Sequence, residues 1–209
     1  RAIPFIENAV GQEKPFLAVI WFHAPHLPVV GGIKYTEPFK DLDPMVQQYY
    51  ACLAAMDEQI GRLRTRLKSL EVDQDTLIWF CADNGPEGNE KAPGSTGGLR
   101  GRKRSLYEGG IRVPMIAWWP GQIRPGTVSN HPSAFWDFLP TACELAGVTV
   151  PKDIDGISYR AAMLGLDGQR RHEYLYWQAG LKGRLSKIAI RQGDWKGVRI
   201  GSNKPLELY

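Results

Sequence analysis

An α/β fold with a mixed, mostly parallel sheet flanked by helices is predicted by three observations. Two continuous apolar runs, residues 15–22 and 76–82, each end at polar or turn-forming residues, as strands buried on both faces do. Between them, residues 45–70 carry apolar side chains at spacings of three and four, the stripe of an amphipathic helix. Residues able to bind ions or move protons follow both runs, which places a site at the carboxyl edge of the sheet.

The elements follow in order. The first strand, residues 15–22, leads into a Pro- and Gly-rich loop over residues 23–44, a length that in a compact domain often signals function. The helix of residues 45–70 sets Tyr49, Leu53, Met56, Ile60, Leu63, Leu67 and Leu70 on one stripe, with Arg62, Arg64, Arg66 and Lys68 on other faces. Asp57 falls beside the stripe and reads as a structural partner. After the second strand, residues 76–82, a further long loop is expected over residues 86–105. A third strand, residues 113–119, is stopped by Pro120 and Gly121. A helix then runs over residues 133–146, where Pro140 suits the first turn and Gly147 the C-terminal stop. From about residue 168 the runs shorten to residues 173–177, 186–191 and 195–200, separated by turn residues such as Gln192, Gly193 and Asp194. They predict a small antiparallel sheet. The expected organisation is an α/β domain over residues 1–167 and an antiparallel subdomain over residues 168–209. Both termini fall in element-like sequence, so the chain reads as the interior of something longer.

Composition narrows the function. A chain of 209 residues with 43% hydrophobic content supports one ordinary core, and no apolar run approaches the roughly 20 residues that cross a bilayer. Cys52, Cys81 and Cys143 are odd in number and lack CxxC spacing, which argues against a disulfide scaffold or zinc knuckle. They are expected to be buried free thiols. The net charge of +4 is unevenly placed: within residues 98–112, Arg100, Arg102, Lys103, Arg104 and Arg112 face Glu108 alone. Such a focus fits capture of an anion. Aromatic residues do not alternate with these cations as in a stacking platform, so nucleic acid is not the expected partner.

Three sets of residues carry chemistry. Asp83 and Asn84, in tandem before Gly85, offer a carboxylate and an amide carbonyl, oxygen ligands that suit Ca²⁺ or Mg²⁺; an Asp-His pair would favour zinc. The same triplet is also a standard turn. His23 and His26 could each be a metal ligand, a proton donor or a polar group at a loop start, and Pro25 and Pro28 stiffen the segment that holds them. Lys103 lies among Gly97, Gly98, Gly101, Gly109 and Gly110, which permit sharp bends and close approach to a ligand, and its ammonium can act as a point charge on an oxyanion. Glu108 is expected to anchor this loop by accepting backbone or arginine hydrogen bonds.

These motifs, taken together, resemble the type I sulfatases of the alkaline-phosphatase superfamily. The likeness rests on residues 23–28, Asp83-Asn84-Gly85, and Leu99-Arg100-Gly101-Arg102-Lys103 with residues 108–114. It continues through Trp119-Pro120-Gly121, residues 137–141, Leu145-Ala146-Gly147, Asp155-Gly156 and residues 193–196. The resemblance implies an alkaline-phosphatase-like sheet, incomplete here, and hydrolysis of sulfate monoesters, plausibly of sulfated sugars. It implies that Asp83 and Asn84 bind one Ca²⁺ ion with further ligands outside this chain. It also implies that His26 contacts the sulfate and the leaving oxygen and that Lys103 binds sulfate; His23 matches a flanking position. Arg102 and Arg104 stand where many sulfatases have glycine, and could reach a second anionic group or remain solvated. The implied location is periplasmic, secreted or lysosomal, and the implied partner a small-molecule or glycan sulfate ester.

The family's nucleophile is formylglycine, made from Cys or Ser in Cys/Ser-x-Pro/Ala-x-Arg. No Cys or Ser of this chain has arginine four residues later, and the family's early aspartate pair is also absent. These elements lie toward the amino terminus in sulfatases, so the expectation is a C-terminal portion that does not turn over sulfate esters alone and whose incomplete sheet leaves association-prone edges. A phosphoryl or phosphonate ester hydrolase of the same superfamily, and a non-catalytic sulfated-glycan binding protein, are the alternatives. Asn84 in place of histidine speaks against a two-zinc phosphatase.

Overall fold

The computed structural model describes residues 1–89, 91–181 and 184–209, with the backbone alone for residues 181 and 184–186. Glu90 of the expected second loop, and Lys182 and Gly183 of the expected C-terminal sheet, lie outside the described residues. The chain forms two compact units: residues 1–77 with 86–95, and residues 78–85 with 96–209.

The first unit is helical: α1 (Ala2–Gly11), α2 (Ile33–Thr36) and α3 (Pro44–Ser69). α3 matches the helix expected over residues 45–70. Asp43 starts it by accepting the Met45 N–H at 2.9 Å, and Pro44, which has no N–H to leave unsatisfied, occupies its first position. Arg66 and Lys68 in the last turn oppose the negative end of the helix dipole. Arg66 also donates to Glu7 of α1 at 2.6 Å. Gly31 donates its N–H to Gln48 of α3 at 2.7 Å, and a Cβ there would come within 2.3 Å of the Ala51 Cβ, so the loop lies directly on the helix.

The expected strand over residues 15–22 does not form. Leu17, Val19 and Trp21 are 70%, 64% and 91% exposed. A strand exists only through backbone pairing, and no segment among the described residues pairs with this run.

In the second unit, β1 (Ile78–Cys81) and β2 (Met115–Trp118) pair antiparallel, with Phe80 opposite Ile116. This corrects the mostly parallel sheet: without a strand at residues 15–22 there is no crossover onto β1. It also corrects burial on both faces for residues 76–82, because β1 in a two-stranded ribbon is only half-buried and its Cys81 is exposed. Cys81 is exposed and Cys143 half-buried, so of the three expected buried thiols only Cys52 is buried. Trp79 of β1 packs its ring 4.9 Å from that of Phe138 and 5.7 Å from that of Tyr159. Burial pushes the Tyr159 phenol strongly up, so it stays protonated. The expected helix over residues 133–146 appears as a 3-10 turn (Phe135–Asp137) running into α5 (Phe138–Leu145), with Pro140 in its first turn and Gly147 at φ +66° behind it. A short helix over Glu108–Ile111 (α4) and another over Arg160–Leu164 (α6) were not expected.

The antiparallel sheet expected near the C-terminus is present as β3 (Leu175–Leu181), β4 (Arg184–Gln192), β5 (Trp195–Ile200) and β6 (Glu207–Leu208), in that order. Gln192 pairs with Trp195 across a two-residue turn whose first residue, Gly193, has φ +57°, the left-handed position a tight hairpin requires. The buried core of this unit joins Leu106 to Ala189 of β4 and Val198 of β5, with Tyr107, Ile111, Trp177 and Ile200 against them.

His131 is half-buried, and its Nδ1 is buried with no hydrogen-bond partner among the described residues. Burial, then the Arg171 guanidinium, holds its pKa below the ordinary 6.5, with Asp137 acting the other way and His172 adding to the lowering. The unfolded chain therefore binds a proton at His131 before the folded chain does, and stability falls as pH drops below about 6.5. Urea unfolding at about pH 7 and about pH 5.5 should show a larger loss for the wild type than for His131→Gln. Equal losses would show that His131 does not contribute.

Candidate functional site

The site residues of the second unit rest on a seam between backbones. Asp83, Asn84 and Gly85 turn at the carboxyl end of β1, and the Gly85 N–H donates to the Gly110 carbonyl at 2.9 Å. A Cβ on Gly85 would lie 1.9 Å from the Gly109 oxygen. The Gly109 N–H in turn donates to the Arg100 carbonyl at 2.8 Å, and a Cβ there would lie 2.1 Å from the Gly101 oxygen. A Cβ on Gly110 would meet the Ser105 oxygen at 2.2 Å. These three glycines are required for space, since none has a positive φ. Their packing brings Asp83 and Asn84 onto the base of the loop that carries Lys103.

Asp83 is exposed and Asn84 half-buried. Asn84 donates its Nδ2 to the Gly85 carbonyl at 3.0 Å, which leaves its Oδ1 as an acceptor, and the preceding residue, Asp83, carries a carboxylate. Two oxygen donors fit a hard cation such as Ca²⁺ in kind. Among the described residues no cluster of three or more acidic, histidine or cysteine ligands is present, so the set is short in number.

Lys103, half-buried, occupies a turn closed by the Ser105 N–H on the Arg102 carbonyl at 3.0 Å. The next residue, Arg104, has φ +70°, a left-handed conformation that costs a residue with a Cβ about 1 kcal/mol. Residues from β4–β6 hold this loop. Lys187 donates its Nζ to the Arg104 carbonyl at 2.8 Å. The Arg100 guanidinium stacks 3.9 Å above the Tyr107 ring and pairs with Glu207 at 3.0 Å. The Tyr107 hydroxyl also donates to Glu207, at 2.8 Å, and burial, then this carboxylate, pushes the phenol up. Tyr209 touches both Arg100 and Glu207. Glu108 does anchor the loop, but its close partner is the buried Lys196, at 2.7 Å, with Arg191 at 3.5 Å. Arg102 is half-buried beside Lys103.

His23 and His26 belong to the first unit. The His26 N–H donates to the His23 carbonyl at 2.7 Å, setting the two exposed rings 5.5 Å apart. The peptides before Pro25 and Pro28 are cis. His26 Nδ1 lies 2.9 Å from the Leu27 carbonyl oxygen. A carbonyl only accepts, so Nδ1 carries the proton and Nε2 is left for exchange with a ligand. The sequence-predicted residues are thus gathered as two sets, one in each unit.

Sequence reasoning missed Lys187, Lys196, Arg191 and Glu207. Lys196 had a signal: in a strand it shares a face with Val198 and Ile200, and a cation on a core face requires an acid. The others act across 83 residues or more in sequence, where no local pattern reaches.

Known proteins are similar to this chain. A family model described as Sulfatase matches residues 1–148, and one described as N-sulphoglucosamine sulphohydrolase, C-terminal, matches residues 101–208. Arylsulfatase A of Homo sapiens is 32% identical over 196 residues, covering 90% of this chain and 36% of the relative. N-acetylgalactosamine-6-sulfatase of Canis lupus familiaris is 31% identical over 200 residues, covering 94% of this chain and 36% of the relative. The crystal structure of Ps i-CgsB superposes with a TM-score of 0.89 at 29% identity, over 100% of this chain and 46% of that one. The chain thus spans about a third of the length of the curated relatives it matches.

Proposed function

This chain belongs to the sulfatase family, and on that premise we propose that it supplies the ester-binding part of a sulfuric ester hydrolase acting on sulfate monoesters of sugars. The observation that carries the reading is the glycine seam, which fixes an oxygen-ligand pair against a lysine-bearing cationic loop. The sugar class is supported by a solved structure of Ps i-CgsB in complex with k-i-k-neocarrahexaose. By the same family membership we place the protein in the periplasm, in the lysosome or outside the cell; no helix among the described residues is long and apolar enough to cross a membrane.

The chemistry follows from the residues. The Lys103 ammonium sits as a compact positive charge on the non-bridging oxygens of the ester, and Arg102 adds a second donor. Asp83 and Asn84 would hold Ca²⁺, which supplies further positive charge to those oxygens. In the first unit, His26 is fixed as the Nδ1–H tautomer by Leu27 and keeps Nε2 as the nitrogen that can exchange a proton with a ligand. As a nucleophile that these residues do not include bonds to sulfur, the bond from sulfur to the leaving oxygen breaks and its electron pair stays on that oxygen, which takes a proton and departs as an alcohol. His23, on the same turn, orients the segment through its carbonyl. None of the cysteines or serines here fits formylglycine, so the 209-residue chain alone is expected to show no turnover, and measured hydrolysis of a sulfate monoester by it would reject that point.

Calorimetric titration of the chain with a sulfated carrageenan oligosaccharide and its desulfated counterpart tests the reading. Binding is expected for the sulfated sugar only. Lys103→Met should weaken it about 10- to 100-fold, the worth of one charge-assisted hydrogen bond. Equal binding of the two sugars, or an unaffected variant, would reject it.

A further inference from the structure

We propose that Lys187 is a positioning residue for Lys103: its ammonium, reaching from β4, holds the turn that presents the sulfate-binding lysine. The inference rests on the assignment of Lys103 to sulfate. Lys103 occupies a turn whose next residue, Arg104, is in the left-handed region despite carrying a side chain. Such a residue tends to relax to negative φ, and the relaxation would rotate the peptide joining Lys103 to Arg104. The Ser105 N–H to Arg102 carbonyl bond inside the turn and the Lys187 bond both engage the peptide joining Arg104 to Ser105, one at its N–H and the other at its carbonyl.

Lys187 acts from outside the turn, with Nζ 2.8 Å from the Arg104 carbonyl. The same strand fixes the other end of the segment. Ala189, two residues on and therefore on the same face as Lys187, is buried in the core with Leu106, two residues after Arg104. An apolar contact at Leu106 and a charged donor at Arg104 together leave the turn little room to relax. Glu108 is held separately, by Lys196 of the neighbouring strand β5, so Lys187 has a distinct target. Lys187 touches no catalytic group itself; its effect passes through the backbone of Arg104.

Glycine adopts φ near +70° without strain, so Arg104→Gly should make Lys187 dispensable. Sodium sulfate is titrated into the full chain and followed by the backbone amide signals of residues 102–105, for wild type, Lys187→Met, Lys187→Arg, Arg104→Gly and the Lys187→Met/Arg104→Gly double variant. With Arg104 in place, Lys187→Met is expected to weaken sulfate binding about 10-fold and to shift the ligand-free signals of residues 103–105. Lys187→Arg, which can still donate to the carbonyl, should stay within about 3-fold of wild type. In the Arg104→Gly background the Met substitution should cost less than about 2-fold, because coupling is lost with the strain. All variants should remain folded with a single unfolding transition. The same Met effect in both backgrounds, ligand-free signals identical to wild type, or global unfolding of Lys187→Met would each overturn the proposal. Failure of the wild type to respond to sulfate would instead overturn the assignment of Lys103, while the ligand-free signals still decide whether Lys187 sets the turn.

Discussion

Replacing Gly109 with alanine should remove about 3 kcal/mol or more of folding stability, well above the usual cost of one added methyl group. The new Cβ would lie 2.1 Å from the Gly101 oxygen, 2.7 Å from the Leu99 oxygen and 2.8 Å from the Arg100 oxygen. All three are backbone atoms, so no flexible side chain can swing away. The Arg100 carbonyl cannot retreat without breaking its bond from the Gly109 N–H. The strand side is equally closed, since the Gly109 oxygen faces Gly85 so tightly that a Cβ on Gly85 would sit at 1.9 Å. Gly61 provides the control. It lies in the exposed interior of α3, where an added Cβ would meet nothing within 4 Å, so Gly61→Ala should gain about 0.5–1 kcal/mol from helix propensity. Urea unfolding of the two variants should therefore move in opposite directions. A Gly109→Ala loss below about 1 kcal/mol would show that the seam can open, and that Asp83 and Lys103 are not rigidly related.

The sequence made these glycines visible but not their use. Clustered glycines suggest close approach to a ligand, whereas Gly85, Gly109 and Gly110 approach one another's backbones and Gly101 turns at φ +86°. Elements set by local pattern were legible. α3 is announced by its stripe, by Asp43 before Pro44, and by cations in its last turn; the β4–β5 hairpin is announced by Gly193 between two apolar runs. What failed depended on partners. A continuous apolar run such as residues 15–22 has the composition of a buried strand, but pairing decides whether one forms. β1 shows the same limit from the other side: its strand was legible, its antiparallel direction was not, because direction lies in the pairing with β2, beyond the reach of local pattern. The candidate site residues Asp83 and Lys103 lie in short motifs that local reading reaches. The supports of Lys103 were not legible, because Lys187 and Glu207 meet the loop across 83 and 107 residues.

Asp137→Ala should cost about 3–5 kcal/mol, because it strips three donors at once from a closed site. The Asp137 side chain is 1% exposed. One carboxylate oxygen accepts the Ala134 N–H at 2.8 Å; the other accepts the Ile157 N–H at 2.8 Å and lies 2.7 Å from His172 Nε2. The residue therefore ties the entry to α5, the segment before α6 and the approach to β3. Its backbone extends the knot: the Thr141 hydroxyl donates to the Asp137 carbonyl at 2.6 Å and accepts the Tyr159 N–H at 3.0 Å. Nor can the neighbouring segment shift to compensate, since a Cβ on Gly156 would already lie 2.1 Å from the Trp136 oxygen. Alanine leaves two inward-facing backbone N–H groups without acceptors, a cost that hydration recovers only at the partly open His172 ring. Asp137→Asn keeps the volume and one acceptor but sets an amide donor against another donor, so it should fall between wild type and alanine. Urea unfolding of both variants at neutral pH gives the ranking. A loss below about 1 kcal/mol for Asp137→Ala would mean that water replaces the carboxylate and that the knot around α5 is not closed.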